Sequence, residues 1–473
     1  MNVLYAVSEA APFIKTGGLA DVGGSLPKAL SCQGADVRVI LPLYGSIADK
    51  WRLKMNFCFY TYIQLTWRRQ YCGVFSLKQD GVIWYFIDNE YYFKRDSIYG
   101  CYDDGERFAF FSRTVLDILP KLDWKPDVIN CNDWQTALIP LYIREDHSGY
   151  YSDVKTVFTI HNIEYQGRFG KEILSDVFGL SDALYYQGIL RYENDVNIMK
   201  GAIYEADHFT TVSPSYAQEL HNPYFASGLH QVIEDNSYKF TGILNGLDTD
   251  HYNPMTDPLI PVNYGPESDT GKAACKEALC AELGLGDCRD TPIIACISRL
   301  VGHKGFDLVA EALDRIVSRN AKLVILGTGD ANYESFFRDA EHRYKGVVSA
   351  NIMYSEKRAS QVYAGADMIL MPSRSEPCGL TQMIAMRYGT VPIVHEVGGL
   401  KDTVRPYPAE NANGFSFYYY SADDMMRSID YALDTWHDKD TWCSLTRRDM
   451  VEDLSWARSA KDYINIYDSL IKR

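Results

Sequence analysis

Several features that would narrow the role of a 473-residue chain are missing from this one. No stretch approaches the roughly 18 consecutive apolar residues needed to span a bilayer, so no membrane association is expected. The opening Met1-Asn-Val-Leu-Tyr-Ala-Val has no basic segment, long apolar run or small-residue cleavage site; it reads as a first strand and not as a targeting peptide. The 11 cysteines are scattered from Cys32 to Cys443 without a Cys-x-x-Cys pair. An odd, unpatterned set points to reduced thiols in a cytosol, not to a disulfide framework. The 10 histidines never form His-x-x-x-His or another ligand cluster, which argues against a zinc site. Neither a Walker A loop nor a complete G-x-G-x-x-G fingerprint is present, and no repeat or low-complexity tract interrupts the chain. Positive charge is also scarce: the formal net charge is −15. An acidic surface repels a phosphate backbone, which argues against general nucleic-acid binding. A nucleotide-sized ligand stays open, because a few local Lys and Arg residues can oppose the overall field.

What is present is the rhythm of an α/β protein. Short β-branched or aromatic runs at Val3–Val7, Val37–Pro42, Val82–Ile87, Asp127–Asn130, Thr156–Ile160 and His208–Val212 alternate with longer mixed segments. Ile293–Ile297, Leu323–Leu326, Met368–Met371 and Pro392–Val394 repeat the pattern in the second half. Such alternation predicts βαβ units on mostly parallel sheets. Between the halves, Pro254, Pro258, Pro261 and Pro266 mark a boundary. The expected organisation is two Rossmann-like domains facing across a cleft, residues 1–245 and 246–455. A final helix, residues 456–473, would carry Tyr463, Ile466 and Tyr467 on one face with Ser455 as its N-cap.

The motifs fall at the carboxyl ends of expected strands, where open α/β sheets bind ligands. Lys15-Thr-Gly-Gly-Leu-Ala-Asp-Val follows the first strand. Gly17 and Gly18 permit close backbone approach, the next helix offers free N–H groups, and Lys15 adds a point charge for a phosphate. A tight turn that merely needs glycine accounts for the same residues. Ser298-Arg-Leu-Val-Gly-His-Lys-Gly sets Arg299 and Lys304 beside a buried strand, where two cations suit a departing pyrophosphate. In Ser375-Glu-Pro-Cys-Gly-Leu-Thr-Gln, the N–H groups of Gly379, Leu380 and Thr381 can hold a phosphate oxygen. Glu376 there can bind sugar hydroxyls or oppose positive charge at an anomeric carbon. Cys378 reads as structural or as a ligand contact, since a lone cysteine without a neighbouring histidine is weak evidence for a nucleophile. His161-Asn-Ile-Glu-Tyr-Gln-Gly ends a first-half strand, which suits a ligand contact as well as a satisfied core histidine. Gly265 to Lys272 fails as a phosphate loop, having one residue too many and Ala273 where Ser or Thr is needed. Asp248-Thr-Asp250 resembles a metal-binding Asp-x-Asp but reads as turn chemistry.

Five segments in order, from Lys15-Thr-Gly-Gly-Leu-Ala-Asp through His161-Asn…Tyr165-Gln-Gly, Gly242-Ile-Leu-Asn-Gly-Leu-Asp and Ser298-Arg-Leu…Lys304-Gly to Glu376-Pro-Cys-Gly-Leu-Thr-Gln, resemble the bacterial and plant glycogen/starch synthase family. The resemblance implies a GT-B fold whose C-terminal helix crosses back to the first domain. It further implies retaining transfer of glucose from ADP-glucose to the non-reducing 4-OH of an α-1,4-glucan, with no metal or cofactor, in the cytoplasm. Carried over by position, Arg299 and Lys304 stabilise the departing diphosphate, Glu376 orients or stabilises the donor glucose, and His161 holds a sugar hydroxyl. Lys15, Gly17 and Gly18 meet the phosphates, Tyr354 stacks on the base, and Asp133 and Asn245 contact glucose or acceptor. Two positions depart from the family pattern: Cys131-Asn-Asp-Trp-Gln stands where His-Asp-Trp-His is common, and His251-Tyr replaces a usual Trp. Ile384, eight residues after Glu376, stands where many related retaining transferases carry a second glutamate that the synthase family itself lacks. The rival reading is a catalytically silent glucan- or nucleotide-binding regulator on the same fold. A phosphorylase is less favoured because it needs a lysine-bound pyridoxal phosphate and usually a longer chain.

Overall fold

The structure, a computed structural model, describes residues 1–472. The chain forms two compact units, Met1–Gly246 together with the segment from Trp456 onward, and Leu247–Ser455. No helix among the described residues is long and apolar enough to cross a membrane.

The first unit carries β1 (Asn2–Ala6), β2 (Asp36–Pro42), β3 (Asn56–Leu65), β4 (Arg68–Gln79), β5 (Val82–Asp88), β6 (Val128–Asn132), β7 (Lys155–Ile160), β8 (Arg168–Phe169), β9 (Arg191–Tyr192), β10 (Asp195–Asn197), β11 (His208–Thr211) and β12 (Phe240–Gly242). Nine of them form one sheet in the order β12-β11-β7-β6-β1-β2-β5-β4-β3, and β8-β10-β9 form a small second sheet. The central strands pair in parallel and are buried along most of their length, as strands covered by helices on both faces must be. The β3–β4 hairpin, antiparallel at the sheet edge, departs from the βαβ expectation. Its inward side chains include Ile63, Leu65, Cys72 and Val74, while Tyr60, Tyr62 and Tyr71 stay exposed. Aromatic residues on both faces hide the alternation that marks a half-buried strand.

The C-terminal helix Ala457–Ile471 packs on the first unit, against helix Gly18–Cys32 and β7. Tyr463 and Tyr467 are fully buried, Ile466 only half, and the Tyr467 hydroxyl donates to Asn130 Oδ1 at 2.9 Å. Trp456, not Ser455, occupies the cap position and makes no side-chain cap bond; the Ser455 amide instead donates to Asp453 Oδ1.

The second unit holds β13 (Ile293–Ile297), β14 (Lys322–Leu326), β15 (Val348–Asn351), β16 (Met368–Met371), β17 (Val391–His395) and β18 (Phe415–Phe417), all parallel, in the order β15-β14-β13-β16-β17-β18. The edge strands β15 and β18 escaped the sequence reading because each is only three or four residues long and carries a serine. Helix Phe306–Val317 lays Leu308, Val309, Ala312, Leu313 and Ile316 on this sheet, a 3.6-residue stripe of apolar side chains. Before the sheet, Asp248 Oδ1 accepts from the amides of Asp250 and His251 at 3.1 and 3.0 Å, a turn as its spacing suggests.

One expectation about the thiols is corrected. Cys280 and Cys288 are disulfide-bonded, while the other nine cysteines are free. Gly284, left-handed at φ +67°, ends helix Asp269–Leu283 and turns the chain back on itself. A spacing of eight residues with no motif gave no hint of that turn.

Candidate active site

In each sheet two neighbouring parallel strands send their onward connections to opposite sides: β1 and β6 in the first unit, and β13 and β16 in the second. Loops leaving neighbouring strands at such a point diverge and open a crevice at the strands' carboxyl ends. Lys15, Gly17, Gly18 and Asp133 lie on the segments leaving β1 and β6, and Arg299, Lys304 and Glu376 on those leaving β13 and β16, whereas His161 follows β7, Asn245 the edge strand β12 and Tyr354 the edge strand β15.

In the first unit, the loop after β1 is tied down by a buried carboxylate. Glu9 accepts from the Thr16 amide at 2.5 Å and from the Thr16 hydroxyl at 2.9–3.0 Å, and the Tyr99 hydroxyl donates to it at 3.2 Å. Burial raises the Glu9 carboxyl, against the lowering effect of the Thr16 and Gly17 amides. Lys15 Nζ lies 2.6 Å from Asp21 Oδ1 in the first turn of helix Gly18–Cys32. Gly17 precedes that helix in extended backbone at φ −161°, and a Cβ placed on it would meet nothing within 4 Å. Neither conformation nor packing within the protein requires glycine there. Gly23 and Gly24, by contrast, are needed where helix and loop touch: a Cβ would come 2.8 Å from Glu9 O and 2.5 Å from Ala11 O.

On the other side of the crevice Asp133 follows β6 at φ +55°. Its Oδ1 accepts from the His161 amide at 2.7 Å, joining the ends of β6 and β7. Burial pushes its carboxyl up to about 7, with the Glu9 charge adding and the amides of His161 and Asn162 opposing. Burial pushes the half-buried His161 imidazole down to about 3, so the ring is neutral. Its Nε2 lies 2.9 Å from Asn132 Oδ1. Two buried acceptors, Gln135 Oε1 and Asn245 Oδ1, have no hydrogen-bond partner among the described residues. A group buried without a partner costs free energy unless something else supplies the bond.

In the second unit Arg299 and Lys304 stand on the loop between β13 and helix Phe306–Val317. Arg299 is exposed, and its guanidinium has no partner among the described residues. Lys304 Nζ is 2.7 Å from Glu376 Oε2, and the Ser373 hydroxyl donates to the same oxygen at 3.0 Å. Ser373 is held in turn, its carbonyl 2.8 Å from His395 Nδ1. Gly305, at φ +79°, lets the Lys304 loop touch the end of β16: a Cβ would sit 2.0 Å from Pro372 O. Gly398 does the same for the Glu376 backbone, where a Cβ would fall 2.0 Å from Glu376 O. Gly379 is left-handed at φ +75°, and buried Gln382 donates to the carbonyls of Cys378 and Gly379 at 3.1 and 2.9 Å. Leu380 then caps the short helix Thr381–Arg387, leaving the amides of Gly379, Leu380 and Thr381 at its start. Cys378 is a buried thiol. Tyr354, on the loop after β15, is 76% exposed, a ring open to stacking.

Residues 2–235 match the starch synthase catalytic domain, and residues 287–448 match the glycosyl transferases group 1 family. The glycogen synthase of Clostridium botulinum (strain Alaska E43 / Type E3) is 47% identical over 480 residues, covering all of both chains. The chain belongs to the glycogen/starch synthase family. It is a glycosyltransferase of the GT-B fold, built of two Rossmann-like domains. The glycogen synthase of Geobacillus stearothermophilus is likewise 47% identical, over 477 residues spanning all of this chain and 98% of its own. Among solved structures, the catalytic domain of Starch Synthase IV from Arabidopsis thaliana, bound to ADP and acarbose, superposes with a TM-score of 0.93 at 33% identity, covering 100% of this chain and 99% of its own. The sucrose-phosphate synthase of Thermosynechococcus elongatus shares the fold alone, at TM-score 0.63 and 17% identity over 100% and 99% of the chains.

The sequence reading missed Glu9, Asn132, Ser373 and Gln382 as members of this glycosyltransferase's two crevices. Gln382 and Asn132 lie inside the segments Glu376-Pro-Cys-Gly-Leu-Thr-Gln and Cys131-Asn-Asp-Trp-Gln, which suggested no role for them; Ser373 lies in no recognisable pattern. Glu9 had one signal: a carboxylate immediately after an apolar strand and before a glycine-rich loop.

Proposed function

We propose that this glycosyltransferase transfers glucose from ADP-glucose, with retention of configuration, to the 4-OH at the non-reducing end of an α-1,4-glucan. The observation that carries the reading is the charge arrangement at the β13/β16 crevice. An unpaired, exposed Arg299 stands beside a Lys304 whose charge is balanced by a single carboxylate, Glu376. As the donor's glycosidic bond breaks, negative charge grows on the diphosphate and positive charge on the anomeric carbon. Cations fixed beforehand stabilise the first without reorganising, and a nearby carboxylate suits the second. Arg299 and Lys304 are therefore assigned to the departing diphosphate and Glu376 to the donor glucose. The amides of Gly379, Leu380 and Thr381 take further phosphate oxygens, Cys378 borders them, and Tyr354 stacks on the base. In the first unit, Lys15, Gly17 and Gly18 are assigned to phosphate, His161 to a sugar hydroxyl, and Asp133 and Asn245 to glucose or acceptor. The acceptor hydroxyl attacks on the face that the diphosphate leaves, and a leaving phosphate oxygen takes its proton.

The test is incorporation of labelled glucose into glycogen from ADP-glucose and UDP-glucose side by side, with and without chelator. Chelator-resistant incorporation from ADP-glucose is expected. Incorporation from UDP-glucose alone overturns the donor assignment. Retained glucan binding with no incorporation from either donor overturns the enzymatic reading in favour of a silent binder.

A further inference from the structure

Asn132, the last residue of β6, is fully buried beside His161. Its Nδ2 donates to the Ala6 carbonyl oxygen at 2.9 Å. A carbonyl only accepts, so this bond determines which end of the amide is which. Oδ1 therefore faces the other way, where it meets the Tyr5 hydroxyl at 2.9 Å and His161 Nε2 at 2.9 Å. An amide oxygen carries no proton, so Nε2 is the donor in that contact. In a neutral imidazole with its hydrogen on Nε2, the lone pair lies on Nδ1. The Nδ1 atom of His161 has no partner among the described residues.

We propose that Asn132 is a positioning residue that locks His161 in the Nε2–H form, making Nδ1 the acceptor for a donated sugar hydroxyl. The logic runs from a backbone carbonyl to the substrate: Ala6 orients the Asn132 amide, the amide orients the imidazole's proton, and the proton's place sets what the ring offers. The opposite tautomer would present a donor to the same hydroxyl and force it to reverse its bond. The buried Tyr5 hydroxyl reinforces the arrangement by occupying the other lone pair of Oδ1. The sugar-contact half of this inference rests on the assignment of His161 under Proposed function; the tautomer half does not.

The experiment is a ¹⁵N–¹H correlation spectrum of the imidazoles in the full-length labelled protein near neutral pH, with His161 assigned by its loss in His161→Gln. The neutral Nε2–H pattern is expected in the parent. Asn132→Leu should lose that pattern and lose about 10–100-fold in kcat, by analogy with removal of a partner that orients a metal-ligating histidine. Tyr5→Phe, which leaves the Oδ1 acceptor in place, should keep the tautomer and most of the turnover. An Nδ1–H or doubly protonated ring in the parent overturns the inference even if Asn132→Leu fails to fold. Parental turnover and an unchanged spectrum in Asn132→Leu overturn it as well. Undiminished turnover in His161→Gln removes the sugar contact while leaving the spectrum to judge the tautomer.

Discussion

Breaking the Lys304–Glu376 pair separates its structural part from its catalytic one. Glu376 is 7% exposed, and Lys304→Met would leave its carboxylate with the Ser373 hydroxyl as its remaining side-chain partner. Removing one member of a buried pair costs about 3–5 kcal/mol, because the other charge stays buried without its counter-ion. Lys304 itself is only half-buried and the Ser373 bond survives, which puts the expectation near the lower end, about 3 kcal/mol. For a unit of 150–250 residues each kcal/mol moves the midpoint by about 2–4 °C, so the second unit should melt about 6–12 °C lower. The double variant Lys304→Met with Glu376→Gln removes the stranded charge, and the Gln carbonyl still accepts from Ser373. Its stability should return to within about 1 kcal/mol of the parent. Turnover should not return: losing a fixed charge that opposes developing charge costs about 10²–10³-fold in kcat. Calorimetry and label incorporation on the three proteins settle both halves. A single variant melting within about 2 °C of the parent would refute the buried-pair argument. A folded single variant with near-parental turnover would refute the role in departure of the diphosphate.

Asp133 and His161 should make nearly opposite contributions to stability over one pH range. Asp133 rises from 3.8 to about 7 in the folded state, so the folded protein holds the extra proton and stability falls as the pH rises between those values. His161 drops from 6.5 to about 3, so the unfolded chain holds the extra proton and stability is lost as the pH falls from 6.5 towards 3. The parent should show little net slope from these two groups. Asp133→Asn should give stability that rises with pH across about pH 4–6.5, and His161→Gln stability that falls; denaturant titrations at several pH values read the slopes. Two glycines should behave differently on substitution by alanine. Gly17→Ala, with nothing near its Cβ, should cost less than about 1 kcal/mol yet raise KM for the donor. Gly305→Ala, left-handed and 2.0 Å from Pro372 O, should lower the melting midpoint strongly, because relief requires the backbone to move.

Much of the fold was legible because parallel strands buried on both faces must be written as short apolar runs. That holds for β1, β6, β7, β13, β14 and β16, whose positions agree with the sequence reading to within a residue or two. The β3–β4 hairpin was not legible, since exposed aromatic residues on its outer face blur the period-two signal. Nor was the Cys280–Cys288 bond, which depends on a left-handed turn at Gly284 and not on a spacing. Of the site, the glycine-rich loop, the Arg299 and Lys304 loop and the Glu376 loop were legible because each sits at the end of such a strand.

The sequence by itself determined that strands and helices alternate, that the two halves divide near a proline-rich stretch, and which loops carry cations, glycines and carboxylates. Only the tertiary structure decided which of these meet. Lys304 and Glu376 lie 72 residues apart, and they pair because strand order reverses between β13 and β16. Asn132 and His161 are 29 residues apart, and their contact follows from the parallel register of β6 and β7. Local propensity acts over a few residues, whereas strand order and register are set by how whole faces bury together. That is why the chemistry-bearing residue types can be read along the chain and their partners cannot.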